Sequence, residues 1–122
     1  MLFRSRDAIS TEVYPDLEVF FADTAEAYRD AIRAFYDAGC RYLQFDDVTI
    51  ACLCDEAVRD QARRDGEDPD TLPGRYAEII NAIIAERPES LAVTIHTCRG
   101  NHMSMWMASG GYEAVEIGRA HV

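Results

Sequence analysis

His96 and Cys98 stand two residues apart, directly behind the apolar run Leu91-Ala-Val-Thr-Ile95. In an extended strand alternate side chains share a face, so this spacing projects an imidazole and a thiol together while Thr97 points away. Such a pair suits a tetrahedral zinc ion, with bonds of about 2.0 Å to nitrogen and 2.3 Å to sulfur. Two ligands do not make a site, because catalytic zinc takes a third protein group and keeps a position open for substrate. His102, on the loop beyond, is the weaker candidate, since ligands belong on rigid elements. The competing reading of His96 and Cys98 is a strand end with a satisfied histidine and an inert, buried cysteine. A second polar pair, Asp46-Asp47, ends the run Arg41-Tyr-Leu-Gln-Phe45. Adjacent carboxylates at the rim of a buried strand are costly unless they meet cations or hydrogen-bond donors, which makes them candidates for substrate binding. The alternative there is a helix cap and a solvated carboxylate.

The elements that must position these groups alternate helix and strand. Asp16 is a good N-cap, and Leu17, Phe20, Phe21, Tyr28, Ile32, Phe35 and Tyr36 fall largely at helical spacing up to a stop at Gly39. Residues 41–45 then read as a buried strand. A polar, partly helical excursion runs from Asp55 to Asp65 and into the Gly-Glu-Asp-Pro-Asp loop. A second long helix opens near Pro73, carries Tyr76, Ile79, Ile80, Ile83 and Ile84 on one stripe, and must end before Pro88. Leu91–Ile95 is the second strand, and a glycine-punctuated loop from Arg99 to Gly111 leads to a helix start at Tyr112. Crossovers of this length exclude hairpins and predict parallel strands in an α/β fold. Both polar pairs then lie at the C-terminal ends of strands, the edge where parallel α/β folds build their active sites. Neither strand is followed by G-x-G-x-x-G, which argues against a dinucleotide-binding fold. Met103, Met105, Trp106 and Met107 are expected to pack over the mouth of the fold, with substrate lining as the alternative.

Composition narrows the partners. The 122 residues carry 12 basic and 22 acidic side chains, a net charge of −10, and no basic cluster, so nucleic acid is not an expected partner. No stretch approaches the roughly 18–20 apolar residues of a membrane span, and Met1–Ser10 lacks the apolar run of a secretory signal, so no membrane is expected and a cytoplasmic location is the default. Four cysteines are too few for a disulfide scaffold. Cys52-x-Cys54 lacks zinc-knuckle spacing, and Cys40, Cys52 and Cys54 read as small buried hydrophobes.

Taken together, Ala38-Gly-Cys-Arg-Tyr-Leu-Gln-Phe-Asp-Asp47, His96-Thr-Cys-Arg-Gly-Asn101 and Gly110-Gly-Tyr-Glu-Ala114 closely resemble the C-terminal catalytic domain of the cobalamin-independent methionine synthase family, above all its short, single-domain bacterial relatives. The likeness runs from Met1 to Val115. It implies a (β/α)8 TIM barrel; such barrels take about 250 residues, so the chain would be a partial barrel of about two βα units with flanking helices. It implies that His96 and Cys98 bind zinc and that Asp46 contacts the amino-acid substrate. Asp47 stands where larger members have a glutamate, and Cys52 where they have a folate-contacting glutamate, a departure that bears on the methyl donor. Two further zinc ligands, a glutamate and a cysteine, lie downstream in the family.

The implied reaction is zinc-dependent methyl transfer from 5-methyltetrahydrofolate, as its polyglutamate, to homocysteine, giving methionine. Residues 1–116 are expected to be a fragment of the catalytic barrel, inactive alone, with Met1 matching an internal family position. Residues 117–122 read as the translation of a sequencing adaptor. Rival expectations are a corrinoid-linked zinc thiol methyltransferase, a uroporphyrinogen decarboxylase-like barrel, and a small α/β metal-binding module without catalysis.

Overall fold

The computed structural model describes residues 9–100 and 103–115. The Asp16 carboxylate accepts from the Glu18 amide and opens α1 (Leu17–Asp37), which stops at Gly39, a residue in the left-handed region (φ 99°). Strand β1 (Tyr42–Asp47) follows. Then come α2 (Thr49–Cys52), α3 (Glu56–Arg64) and α4 (Leu72–Ile84), the last with its proline in the first turn. Strand β2 (Ala92–Thr97) lies parallel to β1 and hydrogen-bonded to it. A 3-10 turn, Tyr112–Ala114, closes the described chain. Among the described residues the architecture is α/β, four helices with a two-stranded parallel sheet. Among the described residues, no helix is long and apolar enough to cross a membrane.

The register pairs Leu43 with Val93, Phe45 with Ile95 and Asp47 with Thr97, and on alternate positions Tyr42 with Ala92, Gln44 with Thr94 and Asp46 with His96. The first set faces the helices. There Val93, Leu91, Ile83, Ile84, Ile32 and Ala25 form a buried cluster between α1, α4 and the sheet, with Leu43 and Phe45 packed against it. A second cluster joins Ile50 and Leu53 of the α2 region to Ala62, Leu72, Tyr76 and Val115, and Ile79 touches both. Among the described residues, nothing covers the other sheet face. Tyr42, Gln44, Asp46 and His96 are exposed on it, and the Thr94 hydroxyl donates to the Tyr42 hydroxyl across it at 3.0 Å. A sheet covered on one side alone explains why the strands carry polar side chains at alternate positions rather than continuous apolar runs.

Two expectations differ in detail. The strands extend two residues beyond the apolar runs that announce them, because the parallel ladder continues through Asp46-Asp47 and His96-Thr97. The turn α2 is absent from the sequence reading: four residues are too few for helical periodicity to register, and α2 is held by a cap supplied from β1, described below.

Candidate functional site

The parallel register sets Asp46 directly beside His96 on the open face, at the C-terminal edge of the sheet. Cys98 is the residue after β2 and follows His96 at the two-residue spacing; its backbone N–H donates to the Asp47 carbonyl at 2.8 Å, which extends the pairing by one step. Its sulfur accepts from the Gly100 N–H at 3.4 Å. His96 is exposed and Cys98 half-buried. Three of the four residues singled out by sequence, Asp46, His96 and Cys98, therefore stand at one rim of the sheet.

Asp47 is turned the other way. Its two carboxylate oxygens accept from the backbone amides of Thr49 (3.1 Å) and Ile50 (2.9 Å), so it caps α2. Burial raises its pKa above the ordinary carboxylate value, and the Ile50 and Thr49 amides oppose that shift in part. Its backbone and side chain thus tie the end of β1, the start of α2 and the Cys98 backbone into one joint.

A second joint was not legible in the sequence. Asp55 caps α3 by accepting from the Ala57 amide at 2.9 Å, and its other oxygen accepts from the backbone N–H (2.7 Å) and hydroxyl (3.0 Å) of Ser109. These bonds, led by the Ser109 amide, hold the Asp55 carboxyl below its ordinary pKa. Beside it Gly110, in the left-handed region (φ 117°), lies so close to the Cys54 carbonyl that a Cβ would collide with it. Ala108 and Val115 are buried. The loop that follows Cys98 is thereby fastened to the α2–α3 turn that follows Asp47. Asp55 before Glu56-Ala-Val is a readable capping signal. Its partner, 54 residues away, is not.

The remaining sequence candidates are placed as follows. Met103, Met105, Trp106 and Met107 are exposed, Trp106 to 72%. Cys40, Cys52 and Cys54 are half-buried rather than fully buried, and burial raises the Cys54 pKa. His102 and residues 117–122 lie outside the described residues.

Imidazole nitrogen with thiolate sulfur is a donor set that zinc accepts readily. Among the described residues, no three His, Cys, Asp or Glu side chains come together as a metal-holding group. The pair fits zinc as part of a ligand set.

The chain is 52% identical over 103 residues to the uncharacterized protein YxjH of Bacillus subtilis (strain 168), a match covering 84% of this chain and 27% of the relative. It is 46% identical over 114 residues to the uncharacterized protein YxjG of the same organism, covering 93% of this chain and 30% of that one. The chain therefore spans less than a third of the length of the curated relatives it matches. No family model and no solved structure matches it.

Proposed function

We propose that this chain is part of a zinc-dependent methyltransferase that methylates a thiol, with homocysteine the acceptor and 5-methyltetrahydrofolate the donor, and that its two strands belong to a (β/α)8 barrel. The observation that carries the reading is the placement of Asp46, His96 and Cys98 along one C-terminal strand edge. The motif His96-Thr-Cys-Arg-Gly-Asn101, with its likeness to the methionine synthase family, stands behind it. Length is compatible. With 103 matched residues making up 27% of YxjH, that relative is about 380 residues long, room for a barrel of about 250. The open sheet face with its polar side chains is also what the interior wall of such a barrel requires at its active end.

In this reading His96 and Cys98 would hold the zinc, with further ligands supplied from elsewhere in the whole protein. Bound zinc acts as a Lewis acid that lowers the pKa of a thiol meeting it, so that sulfur is nucleophilic at neutral pH. Asp46, beside His96, offers a carboxylate to the substrate ammonium and so orients the attacking sulfur. Asp47 positions: it fixes α2 and, through its carbonyl, the Cys98 backbone. The Asp55–Ser109 joint holds the loop after Cys98 against α2–α3.

The test is metal binding by the full-length protein carrying this segment, read with cobalt(II), whose thiolate charge-transfer absorption reports cysteine ligation. The band is expected in the wild type and weakened in Cys98→Ser, which removes one thiolate from the ligand set, with His96→Ala weakening binding by at least about tenfold. A cobalt spectrum indifferent to both substitutions would remove the metal reading and leave a decarboxylase-like barrel or a binding module. Supplying methyl-folate and methyl-corrinoid in parallel separates the folate-dependent reading from its corrinoid-linked rival.

A further inference from the structure

Eight arginines other than Arg99 are described, and each donates at least one hydrogen bond to a protein oxygen. Examples are Arg33 to Asp30, Arg59 to the Pro69 carbonyl and Arg87 to the Ile84 carbonyl. Arg99 donates to no oxygen among the described residues. Its guanidinium lies over the Tyr112 ring, 4.6 Å from the centroid, and within 5.8 Å of the Trp106 ring centroid. The residue is half-buried and immediately follows Cys98 at the sheet edge. Aromatic rings engage the flat face of a guanidinium and leave its edge N–H groups directed outward, and that edge matches a carboxylate in bidentate fashion. In a chain with 22 acidic residues, a cation that meets rings and no oxygen among the described residues, beside the candidate ligand pair, is poised for a ligand rather than for structure. The nearby Cys54 thiol offers no countercharge, since burial raises its pKa.

We propose that Arg99 is a ligand-binding residue that takes a carboxylate of the molecule occupying the strand edge beside Cys98. The inference rests on the thiol-methyltransferase reading, which places two carboxylate sources at this edge: the acceptor amino acid and the glutamate tail of the donor. A lysine would not serve equally, because a point charge on a flexible stem neither stacks on Tyr112 nor presents paired donors.

The experiment is calorimetric titration of the full-length protein with homocysteine, with its decarboxylated counterpart 3-aminopropane-1-thiol, and with γ-linked triglutamate. Arg99→Gln is expected to weaken one of the two carboxylate ligands by at least about tenfold, to leave the aminothiol unchanged, and to keep the cobalt spectrum of the wild type. Arg99→Lys should fall between. Weakening of homocysteine assigns the acceptor carboxylate; weakening of triglutamate assigns the donor tail. Wild-type affinity for both carboxylates in Arg99→Gln overturns the proposal, as does a wild type that binds neither. A wild type lacking the cobalt spectrum overturns the metal reading instead, and the triglutamate arm still decides Arg99.

Discussion

At the residue scale, the two aspartates of one dipeptide have parted company. Alternation along β1 sends Asp46 to the open face beside His96 and Asp47 to the helix side, where it caps α2. Their substitutions are therefore expected to separate. Asp46→Asn should leave the unfolding free energy within about 0.5 kcal/mol of wild type, as exposed positions do, while raising KM for homocysteine. Asp47→Ala should cost about 1 kcal/mol of stability by removing the cap, measurable by urea denaturation, with loss of metal affinity following from the disturbed Cys98 backbone. Both carboxylates were visible in the sequence as a pair. Which one faces the site was decided by register, and register depends on a partner strand about 50 residues away in the chain.

At the element scale, strands and long helices were legible because each carries its own period, cap and stop, as Asp16, Gly39 and Pro73 show. The joints between elements were not, because the Asp55–Ser109 contact and the fit of Gly110 under Cys54 exist only once the chain has folded. Gly110→Ala is expected to destabilise by more than about 2 kcal/mol, since it adds a steric collision to a left-handed backbone that alone costs an L-residue about 1–2 kcal/mol. Asp55 makes the joint pH-dependent. Its folded-state pKa lies below the ordinary aspartate value of 3.8, so its contribution is present above that value and lost as pH falls through the folded pKa. Asp47 has the opposite sign: its raised pKa means that the folded state gains as pH falls through that value. Asp55→Asn should accordingly flatten the acid limb of a stability-versus-pH curve, whereas Asp47→Asn should steepen it. An unchanged acid limb in Asp55→Asn would contradict the role given to the joint.

At the scale of the whole molecule, the described segment leaves much apolar and polar-functional surface uncovered. Phe35 is 54% exposed on α1, the sheet has one bare face, and the Met103–Met107 stretch lies open. The curated relatives are more than three times as long as this chain. The isolated 122-residue chain is expected to associate or bind a hydrophobic dye, while a self-sufficient metal-binding module would sediment as a monomer and melt cooperatively. The helix–strand alternation was legible in the sequence. A barrel and an open sheet are not separated by pattern, because two strands with the same periodicity serve either equally well. The most direct measurement is methionine formation by the full-length protein from homocysteine and methyl-folate, with zinc present and after its removal by chelation. Zinc-dependent methionine formation is expected, falling by orders of magnitude in His96→Ala and in Cys98→Ser; undiminished methionine formation in either variant, or in the chelated protein, would contradict a zinc site at this strand edge.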